Sequence, residues 1–248
     1  SDNSLTPNPK TLEEISAVKS RFERICEAAA KNQVRLFIDA EETWIQPVLD
    51  AWTFEMMCKH NTQRAIIYNT VQMYRHDRLT FLKAQLELVK ARGVIYGVKL
   101  VRGAYMEKER ERARKMGYPS PIQPDKSSTD RDYNEALRFM VAHSDHYALC
   151  AGSHNEESSM LLTQLMVEKQ LDATNEKFFF AQLLGMSDHI SYNLANGGYN
   201  VAKYVPFGPV KEVLPYLLRR ADENTSVAGQ TGRELGLISA EVIRRKKR

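Results

Sequence analysis

Residues 96–105 read YGVKLVRGAY. The first half has the outline of a covered strand, with Val98, Leu100 and Val101 suited to a pleated, packed surface. Lys99 interrupts the apolar run, Arg102 ends it, and Gly103, Ala104 and Tyr105 turn the chain. Cations are seldom left at the end of a buried strand without partners. Lys99 and Arg102 therefore either reach solvent there or meet an anion.

The same pattern recurs on both sides of this stretch. Upstream, VRLFIDAEE and AIIYNTVQMY are short apolar runs with polar ends; downstream, residues 146–153, 177–183 and 200–206 read the same way. Helical periodicity fills the gaps, at WIQPVLDAWTFEMMCKH, RLTFLKAQLELVKAR, 106–117, 130–144, 156–169, 187–195 and 209–224. A further helix comes first, with Thr11 and Glu14 as a capping box and Leu12, Ile15, Val18, Phe22, Ile25 and Ala29 as its apolar stripe. Strands that are apolar without alternation, separated by helices, predict a parallel sheet covered by helices. The six strands end in DAEE, NTVQ, LVRGAY, GSHN, QLLG and YVPFG. Ligands of parallel α/β proteins sit beyond the carboxyl ends of the strands, in open sheets and closed barrels alike. Six polar endings at one end of a sheet predict a site there. The glycines at 103, 152, 185 and 208 also serve as strand-to-loop punctuation.

Composition narrows the class. The chain has 248 residues, 43% hydrophobic and 27% charged, enough for one large globular domain or two small ones. No run approaches the roughly 18 apolar residues of a membrane span, and Glu13 and Glu14 argue against a transit peptide. The three cysteines lack metal-ligand spacing and cannot all pair, which points to a reducing compartment. A net charge of +4 does not call for nucleic acid, and the basic tail RRKKR (244–248) reads as a solvated helix end. No G-x-G-x-x-G or Walker pattern occurs, which argues against a Rossmann dinucleotide site.

In the helix over 209–224, Val210, Val213, Leu214, Leu217, Leu218 and Ala221 form a face expected to be buried. Arg219 and Arg220 point about 100° apart. They read either as a solvated pair or as a planar clamp for a carboxylate or phosphate, with Glu223 one turn on. Lys99 and Arg102 are either capping cations or groups that stabilise negative charge on a cofactor. Alternation puts Asp39 and Glu41 on one side of their strand, placed to balance those cations. His154 is a strand-end histidine with a structural or a binding role. Tyr105 and Tyr204 are rim aromatics or walls of a ring-shaped pocket.

LFIDAEET, IIYNTVQMY, VKLVRGAYMEKER, AGSHNEES, FAQLLGMSDHISY and KYVPFGPVKEVLPYLLRRADEN resemble successive motifs of the proline dehydrogenase family, in the family's order from Arg35 to Asn224. KYVPFGP and GSHNEES are similar to its eukaryotic, monofunctional branch. The resemblance implies a (β/α)8 TIM-type barrel holding FAD non-covalently at the strands' C-terminal ends. It implies oxidation of L-proline to Δ1-pyrroline-5-carboxylate by hydride transfer from proline C5 to flavin N5, with a membrane quinone as electron acceptor. By motif, Arg219 and Arg220 bind the proline carboxylate, Tyr105, Leu183 and Tyr204 pack round its ring, and Asp39 orders the substrate side. Lys99 falls where the family places a basic residue near N5. Asn69, Gln72, Arg102, Gly103, His154 and Asn155 fall with the cofactor, and Glu223 with its ribose. No metal and no nucleic-acid partner is implied. The setting implied is the inner face of a bacterial or mitochondrial inner membrane, which allows a peripheral membrane contact. Hydroxyproline dehydrogenase is the nearest alternative activity.

The pattern departs from the family in number. A closed barrel needs eight βα units, and six are visible. Residues 1–34 read as a loop and a helix ahead of a barrel portion at 35–248. The family's first two strands, with a lysine and an acidic partner for one of the arginines, are not found in them. A second segment or chain is expected to supply the missing strands; without one, the chain would be a non-catalytic fragment.

Overall fold

The computed structural model describes residues 8–226 and 230–246, with side chains on the helix after the last strand described through Leu218. Helix α1 (Pro9–Lys31) comes first. Then follow β1 (Leu36–Ile38), α2 (Gln46–His60), β2 (Ile67–Gln72), α3 (Arg78–Arg92), β3 (Tyr96–Val101), α4 (Met106–Met116), α5 (Lys126–Ala142), β4 (Tyr147–Gly152), α6 (Glu156–Glu168), β5 (Phe178–Leu183), α7 (Asp188–Asn196), β6 (Val201–Tyr204), α8 (Val210–Ser226) and α9 (Gln230–Lys246). The strands form one all-parallel sheet in chain order.

Strong curvature is visible from contacts between distant strands. Arg35, just ahead of β1, donates to the Glu176 carbonyl just ahead of β5 at 2.8 Å, and its guanidinium lies 4.6 Å over the Phe179 ring. Four strand spacings of about 4.8 Å would separate them by ~19 Å in a flat sheet. Likewise Lys99 Nζ of β3 lies 6.0 Å from the Tyr204 ring of β6. The sheet is a curled half-barrel of six strands, and within the described residues β1 does not pair with β6.

Strand alternation sorts the side chains. Ile67, Val71, Tyr96, Val98, Leu100 and Leu149 face the helices and meet Met56, Met57, Leu82, Leu137 and Leu162 in one buried core. The opposite parity faces the hollow. Its floor is Phe37, Tyr68 and Ala148, packed with Ala65 and Ile95. Gly97 sits in register between Tyr68 and Ala148, where an added Cβ would lie 2.4 Å from the Ile67 carbonyl oxygen. Burial raises the Tyr68 phenol to about 12 and the Cys150 thiol to about 12, so neither ionises near neutrality.

Three expectations are corrected here. Helix α1 starts at Pro9, ahead of the Thr11 capping box, because the Asn8 side chain accepts from the Thr11 N–H at 2.8 Å and proline suits the first helical position. Its docked face is Phe22, Cys26, Ala29 and Ala30, whereas Leu12, Ile15, Val18 and Ile25 stay exposed. On α8, Val210, Leu214, Leu217 and Leu218 are also exposed. The stripes are real, but periodicity states only which residues share a face. A neighbour must cover that face, and none of the described residues does. No helix among the described residues is long and apolar enough to cross a membrane.

Candidate active site

Along the hollow, polarity rises from the floor to the C-terminal ends. Above Phe37, Tyr68 and Ala148, the register sets Thr70, Lys99, Cys150 and Phe179 side by side. Above them come Gln72 beside Val101, then Leu183 beside Tyr204. Lys99 forms an ion pair with Asp39 just beyond β1, and Thr70 Oγ1 lies 3.4 Å from the same carboxylate oxygen. Tyr105 donates its hydroxyl hydrogen to Glu41 at 3.0 Å, and Gln72 Nε2 donates to the Glu41 carbonyl at 3.0 Å. Asp39, Lys99, Gln72, Tyr105, Leu183 and Tyr204 thus line one mouth. Glu41 was expected beside the cations but meets Tyr105.

Gly103 shapes this mouth through backbone. Its φ is +129°, and an added Cβ would lie 2.4 Å from the Tyr74 ring, so neither the torsion nor the space admits a side chain. His154 Nδ1 lies 3.0 Å from the Ser187 hydroxyl, and Asn155 caps α6 by accepting from the Ser158 N–H at 2.8 Å. Both stand at the end of β4, with at least one side-chain contact spent on local structure. Arg219, Arg220 and Glu223 lie on α8, with side chains outside the described residues.

Two residues expected with the cofactor point the other way. Asn69 is 1% exposed beneath α2, donating to Asp50 at 2.7 Å, and Asp50 also pairs with Arg78 at 2.7 Å. Arg102 donates Nε to Asp130 at 2.7 Å, Nη1 to Ser153 at 2.8 Å and Nη2 to Ser158 at 3.0 Å, and stacks 4.3 Å over Tyr133. The reason is parity. Asn69 and Gln72, like Lys99 and Arg102, are three apart, so a strand turns them to opposite faces. The same period flags Thr70, which the motif reading missed.

Arg102→Met is therefore expected to lower stability by about 2–3 kcal/mol, because Asp130 and two seryl hydroxyls lose a shared fork. Burial raises the Asp130 carboxyl, but its bonds to Lys126 and Arg102 outweigh this and hold it below its ordinary value. A lowered folded pKa contributes stability above the unfolded value of about 3.9, lost as pH falls through the folded one. The gap between variant and parent should thus narrow below about pH 4 in urea titrations. A selective loss of flavin affinity without loss of stability would return Arg102 to the cofactor set.

The proline dehydrogenase family model matches residues 2–233. This chain belongs to the proline dehydrogenase family. It is 39% identical to proline dehydrogenase 1, mitochondrial, of Drosophila melanogaster over 97% of this chain and 37% of that protein. The human protein of the same name is 40% identical over 94% of this chain and 39% of its own length. Hydroxyproline dehydrogenase of Xenopus laevis is 41% identical over 91% of this chain and 49% of that protein. The chain thus spans less than half the length of these relatives. Among solved structures, the proline utilization A protein of Bdellovibrio bacteriovorus inactivated by N-propargylglycine superposes with a TM-score of 0.80, at 23% identity, over 90% of this chain and 23% of that one. The six-stranded half-barrel therefore matches part of that protein's TIM-type barrel fold.

Proposed function

We propose that this chain supplies six of the eight strands of the catalytic barrel of an FAD-dependent proline dehydrogenase that passes electrons to a quinone. The observation that carries the reading is the mouth itself: an Asp39–Lys99 ion pair 6.0 Å from the Tyr204 ring, with Leu183 beside Tyr204, above an apolar floor. The donor set fits a flavin. Gln72, Thr70 and Lys99 offer an amide, a hydroxyl and a cation on one concave face, and His154 and Asn155 stand at its edge. FAD, when bound, supplies a two-electron acceptor.

The chain's own residues do the rest. Lys99 places positive charge where it favours negative charge on a bound ring, a preorganised electrostatic contribution. Asp39 holds the Lys99 ammonium in place. Tyr105, Leu183 and Tyr204 wall a small apolar ring, excluding water and fixing its approach. Arg219 and Arg220 are the proposed carboxylate clamp, and Glu223 the ribose partner. Residues 35–248 are the proposed barrel portion, with a second segment or chain supplying two more βα units. The mitochondrial names of the relatives support a mitochondrial setting; a peripheral contact with an inner membrane is proposed with it.

A second reading is hydroxyproline oxidation, favoured by the Xenopus relative. Tyr204 beside Leu183 leaves proline the better fit, since a 4-hydroxyl needs room and a hydrogen-bond partner. The test is to combine this chain with a segment carrying two upstream βα units and purify the assembly with FAD. The yellow absorbance is expected to bleach on L-proline, faster than on trans-4-hydroxy-L-proline, and to return on adding a soluble quinone. An assembly that binds FAD but is bleached by neither would overturn the reading; a preference for hydroxyproline would establish the second one.

A further inference from the structure

Helix α4 carries Tyr105 at its N-cap, and it is an unusual wall element. Its sequence is MEKERERARKM, and its buried residues are Glu109 and Ala113. Little apolar area holds it against the barrel, so its position must come from directional contacts. Those contacts form a series. Glu41 accepts from Tyr105, Glu42 pairs with Lys108, Thr43 meets Glu109, and the Arg112 guanidinium lies 4.1 Å over the Trp44 ring. Four consecutive residues beyond β1 meet positions 105, 108, 109 and 112, one face of a helix.

Glu109 is the buried member. It is 0% exposed, and its two carboxylate oxygens accept separately from Thr43, from the N–H at 2.7 Å and from the hydroxyl at 2.7 Å. A fully buried carboxylate is retained only where it is well hydrogen-bonded. Here its bonds reach across to the strand-end loop that carries Asp39 and Glu41. We infer that Glu109 is a positioning residue, a latch that locks α4 to the β1 loop and so sets where the Tyr105 ring stands against the substrate. The inference rests on the proline-oxidising reading above.

The latch has a specific signature. The Tyr105 ring is a wall and not a reacting group, and loss of a contact made equally with substrate and transition state raises KM with kcat unchanged. In the complete, FAD-loaded assembly, Glu109→Ala should raise KM for L-proline about tenfold, leave kcat within about twofold and leave FAD content unchanged, the range of a lost charged hydrogen bond. Glu109→Gln should recover most of the loss, because an amide accepts from the Thr43 N–H and donates to the Thr43 hydroxyl. Thr43→Val removes one bond with little change of shape and should raise KM by about threefold, which keeps the test open if Glu109→Ala fails to fold. The deciding comparison uses Tyr105→Ala and the double variants. Without the ring the latch has nothing to position, so Glu109→Ala should add less than about twofold in that background. Hydrogen exchange should rise at residues 41–44 and 105–112 in Glu109→Ala and not in β2–β4. Unchanged KM, full additivity with Tyr105→Ala, or unaltered exchange would overturn the latch while proline oxidation by the parent stands. A parent with FAD but no proline oxidation would overturn both.

Discussion

Gly103→Ala is expected to lower the melting temperature of this chain by at least about 5 °C and, in the complete assembly, to weaken the proposed FAD binding with it. Two independent costs meet at this position. The backbone sits at φ +129°, which an L side chain tolerates only with strain of roughly 1–3 kcal/mol. The new methyl would also lie 2.4–2.6 Å from three atoms of the Tyr74 ring. Tyr74 is 3% exposed, and its backbone bridges to Arg102 at 2.7 Å and to Gln123 at 2.7 Å, so the ring cannot swing away cheaply. Overpacking of this kind costs roughly 1–3 kcal/mol, and each kcal/mol moves the midpoint by about 2–4 °C in a domain of this size. Thermal melts and flavin titration of the alanine variant check it. A melt within about 1 °C of the parent would mean that this turn relaxes freely.

Arg219→Met and Arg220→Met are each expected to cut kcat/KM for L-proline by about 10- to 100-fold in the complete assembly. Both residues lie on α8, and their proposed partner is the substrate carboxylate. A charged hydrogen bond contributes roughly 1.5–3 kcal/mol, and about 1.4 kcal/mol is a factor of ten. The loss is larger if the carboxylate stays buried without a partner. Lysine should rescue poorly, because an ammonium cannot reproduce the planar fork. FAD content should stay near the parent's, since the substitutions address the substrate. Steady-state kinetics and flavin stoichiometry of both variants decide the matter: unchanged kcat/KM in both would end the clamp reading and leave a solvated arginine pair.

Much of this was legible in local pattern. Apolar runs such as AIIYNTVQMY and YGVKLV, spaced by 3.6-period helices, imply a parallel sheet, and their polar endings imply a mouth at one end. The period of two also contained a fact that motif matching hid: Asn69 and Arg102 cannot share a face with Gln72 and Lys99. The partners of the two cations were out of reach. Asp39 meets Lys99 across 60 residues, and Asp130 meets Arg102 across 28, because strand order and curl bring them together. The same holds for the stripes on α1 and α8, where periodicity names the face and a neighbour must cover it. It holds most sharply for Glu109, which nothing in MEKERERARKM sets apart from the other acids of that helix. Its burial follows from the meeting of α4 with the loop after β1. Backbone geometry aims a side chain from its immediate neighbours, but its partner and its dielectric surroundings are set by long-range packing.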